Sequence, residues 1–193
     1  MSRKAAPWGG FLILRGAVLS RVYMGTIQFA LLAVFPALMA LAAAYDLLTM
    51  TIPNRIPLAI IAAFAIAAAF AGFDLTLFGW HLLGAAVVFV ICFGMFALGW
   101  IGGGDAKLAV AIAFWTGPFL PLLNWAIAAA IYGGVLTLAI LAVRRVPMPL
   151  VLLRQDWIAR LHDKTTGIPY GIALAAAGLS VFPTTEIFTR VAG

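Results

Sequence analysis

Long apolar runs separated by short polar segments make up most of the chain. Six of these runs approach the ~20 residues that cross the apolar core of a bilayer. Their composition predicts membrane-spanning helices near residues 27–45, 57–73, 80–100, 106–123, 124–143 and 168–183. Between residues 150 and 161, apolar side chains recur at helical spacing, which predicts a short amphipathic helix on the membrane surface. The pattern indicates an all-α, polytopic membrane protein.

Composition supports this prediction and narrows the possible partners. Charged residues make up 9% of the chain, against roughly 25% in soluble domains. The single cysteine, Cys92, lies in an apolar run, which excludes disulfides and cysteine-based zinc sites. The net charge of +6 comes from short segments between the apolar runs, where basic residues contact lipid headgroups. We therefore expect membrane lipids, and no nucleic acid, as partners.

Basic residues also predict the orientation of the spans. The segment 144–167 carries five of them and is expected on the cytoplasmic side: Arg144, Arg145, Arg154, Arg160 and Lys164. Counting spans backwards places segments 46–56 and 100–106 on that same side. The opposite loops, 74–79 and 117–123, contain no Lys or Arg. We expect His81, beside Trp80, to anchor the outer membrane interface.

Residues 1–24 do not fit this orientation, because span parity places their four basic residues outside. Three explanations remain open. In the first, the segment 27–41 is the apolar region of a signal peptide. In the second, residues 1–24 form an interfacial helix. In the third, translation starts at Met24. We divide the chain into this basic segment, 1–24, and one membrane-embedded domain, 25–193.

Two of the six acidic residues lie at the edges of predicted spans. Asp46 and Asp105 are separated by two crossings and are therefore expected at the same membrane face. Two neighbouring carboxylates share a proton, so that one acts as an acid and the other as a base, and such a pair activates water. The alternative is structural, with one solvated Asp in a loop and a second Asp that ends the first span.

Three glycines precede the second of these aspartates, in the stretch "GGGDAKL". An extended peptide has room to lie against Gly102, Gly103 and Gly104, and we expect positive φ angles there to aim Asp105 inward. Lys107 follows closely, either as an electrostatic neighbour of the aspartates or as a snorkelling anchor.

Three blocks resemble the type IV prepilin peptidases, a family of GxGD membrane aspartyl proteases. "GGGDAKL" contains their GxGD motif, "YDLLTMTIPN" (45–54) resembles their first-aspartate segment, and "TGIPYGIAL" (166–174) resembles their Pro-Tyr-Gly element. The blocks occur in the family's order, and the similarity covers residues 27–183. The short, TadV/CpaA-like branch of Flp/Tad pilus systems is the most similar. Its resemblance implies peptidase activity without the methyltransferase activity of longer members that carry cysteine pairs.

The resemblance also implies roles for individual residues. Asp46 and Asp105 are the expected catalytic pair, with no metal or other cofactor. The expected substrate-binding residues are Gly102, Gly103, Gly104, Lys107, Pro53, Asn54, Pro169, Tyr170 and Gly171. Tyr170 either donates a hydrogen bond to a carboxylate or is an interfacial aromatic. The implied substrate is a prepilin or pseudopilin precursor, which loses its basic leader at the cytoplasmic face of the bacterial inner membrane.

Two other functions fit part of the sequence. A small ion- or proton-coupled transporter component would use both aspartates to bind a cation or relay protons. That function leaves the co-occurrence of the three blocks unexplained, and no inverted repeat is present. A presenilin-type protease shares the GxGD motif and a Tyr-Asp pair, but the Pro-Tyr-Gly block and the short length argue against it.

Overall fold

Helices make up nearly all of the computed structural model, which describes the backbone of residues 8–193 and the side chains of residues 24–193 except residue 150. The helices are α1 (Trp8–Thr49), α2 (Arg55–Phe70), α3 (Leu75–Ala97), α4 (Gly103–Thr116), α5 (Leu120–Val143), α6 (Leu150–Leu153), α7 (Asp156–His162), α8 (Tyr170–Val181) and α9 (Glu186–Ala192). A 3₁₀ turn, Phe182–Thr184, joins the last two. The described residues contain no strand, and the all-α prediction is confirmed.

Six of the helices run between two ends of a bundle. We call the end that carries Asp46 and Asp105 the aspartate end. The helices α1, α3 and α5 finish there, whereas α2, α4 and α8 begin there. The opposite end holds the α2–α3 and α4–α5 turns and α9, whose Arg190 guanidinium lies 5.4 Å from the centre of the Phe73 ring.

Three helices are long and apolar enough to cross a membrane by themselves. They are Met24–Thr49, Leu75–Ala97 and Leu120–Val143, and a fourth span results if residues 170–192, bent by 50° near Thr184, count as one. The helix α2 has 16 residues and a length of about 24 Å, and α4 and α8 are shorter still. The six predicted runs therefore correspond to the six helices that run between the two ends of the bundle. Three of these helices pass the membrane test alone.

The core forms where α4 and α8 pack inside the bundle. The helix α4 contacts α2, α3 and α8, and α8 also contacts α1 and α5. At the centre, the ring of Phe35 lies 4.8 Å from those of both Trp115 and Phe182. The indole N–H of Trp115 donates to the carbonyl of Ile60 at 2.9 Å, which satisfies a polar group in this apolar interior.

Several predicted boundaries differ from those in the structure. The amphipathic helix expected over 150–161 is two helices, α6 and α7, separated at Arg154 and Gln155. The helix α5 begins at Leu120 and not at 124, because Pro121 is compatible with the first turn of a helix. The positive φ angles of Gly117 (67°) and Phe119 (72°) make the preceding turn compact.

The backbone of residues 8–24 belongs to α1, which continues without a break through Met24. Phe35 and Met39 are fully buried in the core, within the segment that a signal peptide would supply. Removal of this segment would take apolar side chains out of the core, which argues against cleavage there. Arg3 and Lys4 lie outside the described residues.

The expectation that His81 anchors the membrane interface is wrong. Its side chain is 1% exposed, and Nδ1 lies 2.7 Å from the carbonyl oxygen of Phe114. A Cβ on Gly117 would lie 2.5 Å from the imidazole, so the absence of a side chain at this turn makes room for the ring. The neighbouring Trp80 is the exposed aromatic of this pair.

Candidate active site

Asp46 lies in the last turn of α1, with its side chain 5% exposed. The backbone N–H of Gly171 donates to Asp46 Oδ2 at 2.6 Å. Gly171 is the second residue of α8, where backbone N–H groups have no partner within the helix. The start of α8 therefore supplies a donor to a buried carboxylate 125 residues earlier in the chain.

The contact requires glycine at position 171. A Cβ there would lie 2.8 Å from both Asp46 Oδ2 and Ile52 Cδ1, closer than real Cβ contacts come. Pro169 is fully buried just before α8 and fixes the direction in which the chain enters the helix. The structure thus brings the Pro-Tyr-Gly element and the first aspartate together.

Asp105 lies half-buried in the first turn of α4, outside the three spans that pass the membrane test alone. Its carboxyl accepts no hydrogen bond from the described residues. No described donor therefore stabilises a negative charge on Asp105, unlike on Asp46. The part of the chain that the structure describes has no group of three His, Cys, Asp or Glu that would hold a metal ion.

Ile52 joins the two aspartate segments, a role that sequence reasoning missed. Its side chain is buried, and its Cδ1 lies against Gly171. A Cβ on Gly104 would lie 3.4 Å from both the backbone nitrogen and the Cβ of Ile52. One side chain therefore packs between the residue before Asp105 and the residue bonded to Asp46. Its position inside "TMTIPN" is the only sequence signal for this contact.

The three glycines before Asp105 matter because they leave room for neighbouring atoms, and not because of unusual backbone angles. None of them has a positive φ, so the expectation that such angles aim Asp105 is wrong. A Cβ on Gly103 would lie 3.3 Å from the Phe96 ring, and one on Gly102 would lie 3.3 Å from Asp105 Oδ2. Glycine allows α4 to begin close to α3 and leaves Asp105 uncrowded. The left-handed residue is Gly99, with φ 72°.

Lys107 and Asn54 are bonded to each other, and neither bonds to an aspartate among the described residues. The Lys107 Nζ donates to Asn54 Oδ1 at 2.9 Å, and both side chains are exposed. Asn54 is the residue before α2, and the carbonyl of Pro53 accepts the N–H of Ile56 at 3.0 Å in its first turn. This pair therefore joins the start of α4 to the start of α2.

Tyr170 packs against α5 and donates to neither carboxylate, which excludes one of its two predicted roles in this structure. Its hydroxyl lies 3.1 Å from Thr137 Oγ1. A Cβ on Gly133 would lie 2.5 Å from the tyrosine ring, so the ring occupies space that only glycine provides. The side chain is 39% exposed and positions the start of α8 against α5.

A groove of about 570 Å³ opens between α2, α3 and α4. Most of its lining is apolar and includes Leu58, Ile61, Phe89, Phe93, Phe96 and Val110. Gly103, Lys107 and Asn54 lie at its aspartate end. The groove thus reaches the first turn of α4, although Asp105 itself is not among the residues that line it.

A model of the type IV leader peptidase family matches residues 33–138, just over half of the chain. The matched region contains both Asp46 and Asp105 and ends before the Pro-Tyr-Gly element. No curated protein and no solved structure matches the chain significantly. The chain therefore belongs to the type IV leader peptidase family, and this membership implies a leader-peptidase-like protease.

Proposed function

We propose that this protein is an aspartic endopeptidase that removes the basic leader of type IV, Flp-type prepilins. Asp46 and Asp105 are its catalytic pair. The observation that carries the proposal is the 2.6 Å hydrogen bond from Gly171 to Asp46, because it joins two of the three family-like blocks at one carboxylate. Ile52 packs between this contact and Gly104 of the remaining block, "GGGDAKL".

The two carboxyl groups have different surroundings and therefore different tasks. The Gly171 N–H stabilises negative charge on Asp46, so Asp46 is the base. Asp105 accepts no hydrogen bond from the described residues and retains the proton, so it is the acid. Asp46 takes a proton from water as the water oxygen attacks the peptide carbonyl carbon, and Asp105 protonates the carbonyl oxygen.

The resulting tetrahedral diol collapses by the reverse transfers. Asp46 gives its proton to the leaving nitrogen, the C–N bond breaks, and a diol hydroxyl returns a proton to Asp105. The pair then has the same charge state as before, and no covalent intermediate forms. The exposed backbone of Gly102 gives the extended cleavage site room beside Asp105.

The substrate class follows from the resemblance, and the groove supports it. Prepilins combine a basic leader with an apolar helix that stays in the bilayer. We assign that apolar segment to the groove between α2, α3 and α4, because its lining is mostly apolar and includes Gly103 and Ala106, which lie on either side of Asp105 in the first turn of α4. The leader then lies at the cytoplasmic face of the inner membrane, where the basic segment 144–167 also lies. We further propose that α2, α4 and α8 complete six crossings.

The proposal is tested by co-expressing the chain with an Flp-type prepilin and measuring the mass of the pilin amino terminus. Wild type is expected to trim the leader, and Asp46→Asn and Asp105→Asn each to abolish trimming while remaining inserted. The control is Asp156→Asn, which changes an exposed carboxylate at the start of α7 and is expected to process normally. Normal processing by both dyad variants would contradict the proposal and favour transport.

The same mass measurement tests whether the protein is a peptidase alone. We propose that it does not methylate the new amino terminus, as the resemblance to the short branch implies. The only cysteine, Cys92, lies within α3, and the chain has no cysteine pair of the kind found in the methylating members. A product heavier by one methyl group, formed with this chain as the only added enzyme, would contradict this part of the proposal.

A further inference from the structure

Arg144 is a buried cation at the aspartate end, immediately after α5. Its side chain is 8% exposed, although the sequence pattern assigned it only a role in membrane orientation. Nε donates to the carbonyl of Leu161 at 2.7 Å, and Nη2 donates to the carbonyl of Gly167 at 3.0 Å. Nη2 also lies 3.2 Å from the carbonyl and 3.3 Å from the hydroxyl of Thr166. One guanidinium thus holds both ends of the segment 161–167.

A second set of bonds fastens this segment to α1. The hydroxyl of Thr166 contacts the carbonyls of Arg160 and Asp163. The Arg160 guanidinium in turn donates to the carbonyl of Leu48, which lies two residues beyond Asp46. The segment 161–167 is therefore attached to α5 through Arg144 and to the last turn of α1 through Arg160.

The segment leads directly to the contact with the catalytic carboxylate. Gly167 precedes the buried Pro169 by two residues, and Gly171 follows Pro169 by two. Because Pro169 restricts the backbone between them, displacement of the Gly167 carbonyl moves the start of α8. The hydrogen bond from the Gly171 N–H to Asp46 Oδ2 is 2.6 Å long. A small movement of the start of α8 lengthens this bond and weakens it.

We propose that Arg144 is a positioning residue that holds the Gly171 N–H on Asp46 through segment 161–167. Its planar fork of donors reaches several acceptors at once, which the point charge of a lysine does not reproduce. Arg144 acts through Gly171 and does not touch the substrate. The effect on cleavage rests on the proposed peptidase function, whereas the effect on the contact does not.

The first experiment measures amide hydrogen exchange in lipid nanodiscs and needs no substrate. In Arg144→Gln, we expect the backbone amides of residues 168 and 170–172 to exchange about tenfold faster than in wild type, because the contact opens locally. Arg145→Gln removes the same charge from the exposed neighbouring side chain and is expected to match wild type. Equal exchange in the two variants would overturn the proposal. Arg144→Lys replaces Arg144→Gln if the latter fails to insert.

The second experiment measures prepilin cleavage by the same variants and by Arg144→Ala. Arg144→Gln is expected to lower kcat by about tenfold or more at an unchanged KM, since a small displacement at a reacting group has effects of this size. Added guanidinium ion is expected to restore part of the rate in Arg144→Ala. Unchanged kcat, or no recovery with guanidinium, counts against a positioning role. If wild type itself does not cleave, the peptidase proposal fails, while the exchange result still decides the role of Arg144.

Discussion

At the residue level, the buried hydrogen bond between Asp46 and Gly171 shows that the two aspartates are not simply isolated surface charges. A buried carboxylate is costly unless a donor satisfies it, and here the donor is a backbone N–H that substitution does not remove. What substitution changes is the distance, because any side chain at position 171 pushes the two groups apart.

Gly171→Ala is therefore expected to reduce prepilin cleavage by about two orders of magnitude, since its Cβ would displace Asp46 or Ile52. The relevant measurement is kcat/KM on a purified prepilin. Gly134→Ala is the control, because a Cβ at that site in α5 has nothing within 4 Å. Equal activity in the two alanine variants would mean that the Gly171 contact does not position Asp46.

At the element level, α4 has the most specialised position. Its first turn carries Asp105, one side packs on α2 and α8, and another closes the groove against α3. The bond between Lys107 and Asn54 fixes the start of α4 to that of α2. The groove and the carboxyl group are therefore held by the same helix, and an apolar segment in the groove would have a defined register relative to Asp105.

Filling the groove tests this relation. Leu58→Trp introduces a large ring at an exposed groove position on α2 and is expected to raise KM for a prepilin severalfold with kcat nearly unchanged. The matched control is Ile66→Trp, which alters a similarly exposed position on the same helix outside the groove. If both variants keep the wild-type KM, the apolar segment binds elsewhere.

Sequence patterns predict the elements better than the contacts between them. Apolar periodicity locates the helices and places Asp46 and Asp105 at one end, because both depend on local composition. The roles of Tyr170, His81 and Arg144 depend on partners 33, 33 and 17 or more residues away, which composition does not encode. The Gly-rich stretch predicts a close approach, but the expected positive φ is wrong because the space is needed by Phe96 and Ile52.

At the level of the whole molecule, helices of unequal length share one bundle. The long helices α1, α3 and α5 present apolar side chains such as Phe29, Val90 and Leu138 outward. The shorter α4 and α8 have most of their apolar residues buried against neighbouring helices. Length alone therefore does not decide whether α4 or α8 crosses the membrane, because neighbouring helices cover most of their apolar residues.

Single cysteines in a Cys92→Ala background test the proposed six crossings. Arg55→Cys and Trp100→Cys lie at the aspartate end, whereas Thr76→Cys and Leu120→Cys lie at the opposite end, all at exposed positions. In intact cells, an impermeant maleimide is expected to label positions 76 and 120 only. In inverted vesicles it is expected to label 55 and 100 only. Labelling of all four from one side would contradict crossings by α2 and α4.

The short helix α2 has a consequence for the surrounding lipid if it crosses the membrane as proposed. A bilayer matches the apolar length of what it surrounds, so it becomes thinner wherever a short helix replaces a long one at the boundary. The helix α2, about 24 Å long, forms part of that boundary beside the groove. With α2 as a crossing helix, we expect headgroups and water to move inward there, which would shorten the apolar distance that an approaching peptide bond has to cross. The membrane itself would then form part of the entrance to the protein.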